Sequence, residues 1–221
     1  VLMEGRKAVG VEYVQGGQVQ QLLCNREVLL CAGALQSPQL LMLSGIGPGE
    51  HLQQMGIEVL HDLPGVGEHL HDHPDVVQVV NGPQMTDSFG VSLTGLKNVW
   101  QGVSRWRNER RGMLTSNFAE AGGFIRSQPQ EVAPDLQLHF VVGKLLDHGR
   151  KTVLGHGYSC HVCILQPKSR GRVRLAANDA RALPLIDPAF FAEADDMQRM
   201  VRGVHRMREI LSQPALAGLG G

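Results

Sequence analysis

Apolar and polar residues alternate through "RKAVGVEYV" and again through "VQQLLC", with "QGGQ" between the two runs. Period-two alternation on either side of a Gly-Gly turn predicts a β-hairpin. "REVLLCAG" breaks that rhythm, because Val28 to Cys31 is continuously apolar, the pattern of a strand buried on both faces. Ser37 then offers a helix N-cap and Pro38 suits the first helical position, so a short helix over Gln39 to Ser44 is expected to close at Gly45. A second short helix, Glu50 to Met55, closes at Gly56 in the same way. The segment "DLPGVGEHLHDHPD", Asp62 to Asp75, is punctuated by glycine and proline and reads as a loop.

The middle of the chain changes period. Leu96, Val99, Trp100, Val103 and Trp106 recur at helical spacing, and Arg105, Arg107, Arg110 and Arg111 crowd the far end. This amphipathic stretch, Leu96 to Arg111, is expected to pack its apolar stripe on its own domain and leave a solvated basic end. The alternative is a helix lying on a membrane surface, with tryptophans and arginines at the headgroups. "DLQLHFVV", "YSCHVCILQ" and "GRVRLAA" read as strands of a sheet covered on one face. Met197, Met200, Val201, Val204, Met207, Ile210 and Leu211 then form one stripe of a closing helix. Strands and helices interleave throughout, so the class expected is α/β, and no repeat or low-complexity tract interrupts it.

Composition narrows the options. With 221 residues and 43% hydrophobic content the chain can bury the core of one large domain or two small ones. The formal net charge is zero, so no global field favours nucleic acid or an anionic membrane as a partner. No secretory signal and no apolar run of membrane-spanning length is present. A cytoplasmic protein is expected, with at most peripheral contact to the inner membrane. Four cysteines are few for this length, and only Cys160 and Cys163 form a C-x2-C, inside a strand-like run. A four-thiolate zinc site is not expected, and all four read as buried, reduced thiols. The chain begins without Met inside a strand-like run, and it reads as a piece of something longer.

Two segments offer chemistry. In "LLCAGALQSPQLLMLSGIG" a strand turns into a helix through small residues, so a ligand can approach the backbone at Gly33 and meet free N–H groups at the helix start. Alone, that arrangement is common to many tight connections. In "HLHDHPD", His69, His71, Asp72, His73 and Asp75 are residue types that ligate zinc or iron. Were the segment a strand, the three histidines would share a face.

"GALQSPQLLMLSGIG" resembles the second signature of the glucose–methanol–choline oxidoreductases, flavoenzymes that oxidise alcohols. "GIEVLHDLPGVGEHLHDH", "LTSNFAEAGGF", "PKSRGRVRL" and "PLIDPAFF" look like the same family, in its usual order, closest to its choline dehydrogenase-like and alcohol dehydrogenase branch. The resemblance implies FAD as cofactor. It places Ala32, Gly33 and Ala34 beside the FAD adenosine and ribose, Ser37 and Pro38 at the helix start behind them, and Asp72 and His73 near the flavin–substrate interface. Glu120 matches the pocket glutamate that faces the cationic headgroup in choline-oxidising relatives. Here Phe118 and Ala119 precede it, so the aromatic cage for a quaternary ammonium is poorer. The family has Asn and Gln where this chain has His69 and His71, so metal binding is not implied.

The dinucleotide turn Gly-x-Gly-x-x-Gly and the family's catalytic histidine find no match in this sequence. The resemblance therefore implies an interior fragment: a partial Rossmann-like FAD-binding domain over 1–75, an α+β substrate-binding domain with an antiparallel sheet over 76–190, and a helix returning toward the FAD domain over 191–221. The parent enzyme would pass hydride from a small primary alcohol to flavin. The fragment would hold no catalytic residue, retain no FAD and be inactive alone, and the electron acceptor (oxygen, a quinone or a protein) is unreadable. Apolar surface left exposed predicts a homo-oligomer. The alternative reading is a stand-alone small-molecule-binding or interaction module without flavin.

Overall fold

The computed structural model describes residues 1–147, 150–151 and 153–220. In chain order its elements are β1 (Leu2–Glu4), β2 (Lys7–Gln15), β3 (Gln18–Leu23), α1 (Gly33–Leu43), β4 (Ile46–Gly47), α2 (Gly49–Gln54), β5 (His61–Asp62), β6 (Glu68–Leu70), β7 (Asp75–Asn81), α3 (Leu93–Glu109), β8 (Ala119–Ile125), β9 (Leu136–Val141), β10 (Gly157–Ile164), β11 (Gly171–Arg174), β12 (Leu185–Asp187), α4 (Ala194–Leu211) and α5 (Pro214–Ala217). Helices and strands mix as expected for an α/β chain. Among the described residues the sheets are antiparallel except for the parallel pair β4–β5.

The chain divides into two compact units, residues 1–72 with 169–192, and residues 73–168 with 193–221. Segments 169–192 and 193–220 fall in the first and second units respectively. Segment 169–190 joins the first unit because β11 pairs with β6, and Val173 N–H donates to the Gly67 carbonyl at 2.6 Å. Of the segment 191–221, Gly221 lies outside the described residues.

In the first unit the hairpin forms as its pattern predicts. β2 pairs with β3 around Gly16 and Gly17, at φ of +60° and +79°, the left-handed values a two-residue turn between twisted strands requires. Met42, Leu52, Val66 and Leu175 form the core, with Leu41, Ile57 and Val59 packed against it. Each such buried side chain contributes roughly 1.5–3 kcal/mol. Two expectations fail here. Val28 to Cys31 forms no strand, and Leu29 is 74% exposed, because among the described residues no strand pairs beside this run. Helix α1 also begins about a turn early, at Gly33, with Pro38 inside it and Ala32 as its cap. Ser37 is not the cap: its hydroxyl accepts the Ala32 N–H at 3.1 Å.

In the second unit the sheet order is β7-β10-β9-β8, and α4 lies against it. Gly203 permits the close approach, since a Cβ there would stand 2.9 Å from Val162 Cγ2. Met200, Met207 and Leu211 bury toward the sheet, whereas Met197 and Val201, from the same sequence stripe, stay exposed. β10 is buried along its whole length rather than on one face. β11 is not in this sheet at all, since its pairing partners are β6 and β12. A buried charge cluster fastens α4. The Arg199 side chain, 5% exposed, lies 2.5 Å from Asp196 and 3.9 Å from Asp135, and it donates to the Gln166 carbonyl at 3.0 Å.

Helix α3 starts at the Ser92 cap, whose hydroxyl accepts the Gly95 N–H at 2.9 Å, and ends at Arg110 in the left-handed conformation. Its apolar stripe does not pack on its own unit as expected. Within the helix only Gly95 and Gly102 are buried, and their bare Cα atoms form the inward side.

Candidate cofactor and substrate site

In the first unit, α1 carries the strand-to-helix segment singled out from sequence. Gly33 has φ +81°, a value that disfavours any side chain, and a Cβ built there meets nothing within 4 Å, so the space beside it is open. Pro38 lacks the N–H that would bond the Ala34 carbonyl one turn back. Ala34 and Pro38 line a cleft of about 270 Å³ together with His69, Leu70, His71 and Val173. Segments 34 and 104 residues apart in sequence thus meet through the β6–β11 pairing. Gly67, at φ +79°, makes this possible, because a Cβ there would fall 2.3 Å from the Val173 carbonyl oxygen. Glu68 and Arg174 close one side as an ion pair.

The histidine-rich loop is not a strand face. β6 ends at Leu70 and His69 sits at φ +60°, so the alternation that would align the three histidines is broken. Among the described residues no group of three or more His, Cys, Asp or Glu side chains is placed to hold a metal. Asp72 and His73 are exposed and lie outside the cleft lining. Ala32, Gly33, Ala34 and Ser37 fall on one turn of α1 and its cap, of which Ala34 lines the cleft. Small residues, open space at Gly33 and a helix N-terminus fit the edge of a dinucleotide cofactor.

In the second unit, Glu120 occupies a β-bulge. Ala119 pairs with Val141 but Ala121 pairs with Phe140, so Glu120 is the extra residue and escapes the alternation of β8. It is exposed. Next to it, Phe118 at φ +69° stacks on Phe89 with ring centroids 4.3 Å apart. Both rings line a cavity of about 280 Å³ with Val99, Val141, Leu145 and Lys144, the one charged group of its lining among the described residues. Lys144 Nζ donates to Asn81 Oδ1 at 3.2 Å and to the Leu154 carbonyl.

Polar residues behind the cavity hold its wall. Ser159 Oγ donates to the Gly143 carbonyl at 2.9 Å and accepts the Leu145 N–H at 2.8 Å, pinning the loop that carries Lys144. His156 Nε2 lies 2.6 Å from Ser92 Oγ, and its ring leaves no room for a side chain at Gly90. His161 Nδ1 lies 2.7 Å from Asp75 on the neighbouring strand. None of Phe89, Lys144, His156 or His161 stood out from sequence. The usable signal was the alternation of β10, which puts Ser159, His161 and Cys163 on the face opposite Val162.

The cysteines divide. Cys160 and Cys163 are buried as expected, but Cys31 is exposed and Cys24 half-buried. Burial pushes the Cys160 thiol up to about 12. Cys163 is raised by burial first and by the Asp75 carboxylate second. Both stay protonated and unreactive near neutral pH.

The chain thus combines a small-residue helix start beside a cleft in one unit with an antiparallel sheet bearing an apolar cavity in the other. Two family models described as GMC oxidoreductase match it, over residues 1–75 and 167–220. The chain belongs to the GMC oxidoreductase family. It is 42% identical over 219 residues to an alcohol dehydrogenase [acceptor] of Pseudomonas putida, covering 98% of this chain and 40% of that protein. It is 40% identical over 216 residues to oxygen-dependent choline dehydrogenase 1 of Chromohalobacter salexigens, covering 96% of this chain and 38% of that protein. The formate oxidase of Aspergillus oryzae RIB40 superposes with a TM-score of 0.84 at 26% identity, over 98% of this chain and 42% of that one. The chain spans about two fifths of the length of the curated relatives it matches.

Proposed function

We propose that this chain is the substrate-side portion of an FAD-dependent dehydrogenase that oxidises primary alcohols with an apolar body. Family membership and the likeness to an alcohol dehydrogenase support the reaction class. FAD, when bound, supplies the two-electron oxidant for the alcohol carbon. The backbone of Ala32, Gly33 and Ala34 lies along the adenosine side of that cofactor. Ser37 holds the Ala32 amide in place, and Asp72 and His73 belong to the flavin-side loop.

The observation that carries the substrate part is the cavity of the second unit. Stacked Phe89 and Phe118 with Val99, Val141 and Leu145 hold an apolar body, and Lys144 is the only charge in the lining among the described residues. A quaternary ammonium needs aromatic faces together with a carboxylate and no competing cation. Glu120, the carboxylate a choline site would use, is outside the lining. It therefore does not serve as a headgroup anchor inside this cavity. The chain by itself does not turn over alcohol, because no residue in it matches the family's catalytic base.

The test is an amide-shift titration of the chain with benzyl alcohol, 1-hexanol and choline. The two apolar alcohols are expected to move the Gly90 and Gly143 amides, and choline to leave them unmoved. Equal or tighter binding of choline, abolished by Glu120→Gln, overturns the substrate assignment. Alcohol oxidation by the chain with added FAD and an electron acceptor overturns the assignment of catalysis to residues elsewhere.

A further inference from the structure

Lys144 is a cation built into the wall of an apolar cavity and held there by neutral groups. Its side chain runs along two glycines of the facing segment. A Cβ at Gly157 would stand 3.1 Å from Lys144 Cγ, and one at Gly155 would stand 3.3 Å from Nζ. A side chain at either position would crowd the lysine off this course. Ser159 Oγ holds the backbone on both sides of Lys144, through the Gly143 carbonyl at 2.9 Å and the Leu145 N–H at 2.8 Å. Asn81, which pairs with Gly157 across β7 and β10, accepts from Nζ at 3.2 Å, and the Leu154 carbonyl accepts a second bond. Backbone, stem and head are thus each fixed, and every residue that fixes them belongs to the second unit.

These contacts leave the charge unanswered. An ammonium carries three N–H donors, and Asn81 and Leu154 take two of them with neutral oxygens. Among the described residues no carboxylate lies within ion-pair distance of Lys144. The rest of the described lining of its cavity is uncharged, with the stacked Phe89 and Phe118 at its centre. A cation beside apolar walls is screened less than one in bulk water, so an anion that enters the cavity feels it strongly. A hydroxyl offers the same hydrogen bond without the charge, and the charge-assisted bond is about twice as strong. A second cation is repelled.

We propose that Lys144 anchors a carboxylate at the far end of the substrate, so that the alcohols this site takes are hydroxy carboxylates. Such a molecule has a primary hydroxyl at one end, an apolar or aromatic body against Phe89 and Phe118, and an anion at Lys144 Nζ. The inference rests on the substrate assignment and narrows it, because that assignment asks only for an apolar body in the cavity. Lys144 binds the end of the molecule that does not react, so it determines specificity and takes no part in the oxidation. Asn81 is its positioning residue, since without Oδ1 the head keeps the Leu154 carbonyl alone.

The experiment compares matched ligands by amide-shift titration of the chain: 1-hexanol with 6-hydroxyhexanoate, and benzyl alcohol with 4-(hydroxymethyl)benzoate. In each pair the carboxylate is expected to bind at least about tenfold tighter and to move the Gly143 and Gly155 amides. 6-Amino-1-hexanol is expected to bind more weakly than 1-hexanol. Lys144→Met keeps the stem and removes the charge, so it should bind 1-hexanol as before and lose the preference for the carboxylate. Lys144→Gln, which keeps a polar head without the charge, should do the same and stands in if the Met variant fails to fold. Carboxylates that bind no tighter than the matched alcohols, an amino alcohol that binds tighter than both, or a preference that both variants retain would overturn the inference and leave the substrate assignment standing. If none of the alcohols or carboxylates binds, the substrate assignment fails and the inference fails with it.

Discussion

Arg199 is the single side chain whose removal should cost the second unit most. Its guanidinium lies 2.5 Å from Asp196, 3.1 Å from Asp195 and 3.9 Å from Asp135, and it donates to the Gln166 carbonyl. The Nε–Asp195 contact is close, but Nε lacks hydrogen-bond geometry there, so that pair acts by charge and not by direction. Asp196 also accepts the Lys168 N–H at 2.9 Å, and Asp135 accepts the Ser127 N–H at 2.7 Å. One cation therefore joins α4 to the segments around residues 127, 135 and 166. Arg199→Met keeps most of the volume and removes the charge, leaving two buried carboxylates short of their guanidinium. Breaking a buried pair in this way costs about 3–5 kcal/mol. For a chain of this size that is a fall in Tm of roughly 6–20 °C. Urea titration and thermal melts by circular dichroism measure it. Arg206→Ala, which removes an exposed partner of Glu209, is the control, with an expected change within about 0.5 kcal/mol. Adding Asp196→Asn to Arg199→Met should recover part of the loss, because the amide needs no counter-charge. A loss below about 1 kcal/mol for Arg199→Met, or no recovery in the double variant, would refute the assignment of the loss to uncompensated charge.

In a native thiol assay near neutral pH, Cys31 should react first, Cys24 more slowly, and Cys160 and Cys163 only after unfolding; equal rates for all four would contradict their burial. Gly67→Ala should loosen the β6–β11 pairing and the cleft of the first unit at a cost of about 1–3 kcal/mol from the left-handed backbone alone, with a close approach to the Val173 carbonyl added to it. Loss of amide protection at Val173 reads this out, and an unchanged denaturation midpoint would count against it. His51 Nε2 accepts the Leu175 N–H at 3.0 Å, and burial, followed by the Arg174 guanidinium, holds its imidazole below the usual range. Its contribution to stability is therefore complete above about pH 6.5. Below that value the unfolded chain takes the proton first, and the contribution is lost as pH falls through the lowered folded value. Exchange of the Leu175 amide should speed up over that window, and a pH-independent protection factor there would be inconsistent with a neutral acceptor.

Local pattern was legible wherever the deciding interaction lay within a few residues. The alternation around Gly16 and Gly17 specified the β2–β3 hairpin, and Gly56 stopped α2, because a turn with left-handed backbone depends on one or two side chains and little else. The helical period over 96–111 and 197–211 likewise marked α3 and α4. Motif order along the chain pointed to the GMC family, since such motifs are runs of neighbours.

The outcome at a residue was illegible wherever a distant segment decided it. Val28 to Cys31 has the composition of a buried strand, but a strand exists only through the hydrogen bonds of a neighbour. Leu96 and Trp100 have the spacing of a core stripe, but the periodicity of a helix says which residues share a face and not what that face meets. Sequence by itself determined the hairpin, the four main helices and the family. Only the tertiary structure decided that β11 pairs with β6, that Ala34 and His71 share a cleft, that a bulge turns Glu120 out of register, and that Lys144 faces the apolar cavity. Each of these is a contact between segments tens of residues apart. Chain connectivity does not encode such a contact locally; packing and backbone pairing select it from many alternatives of similar local energy.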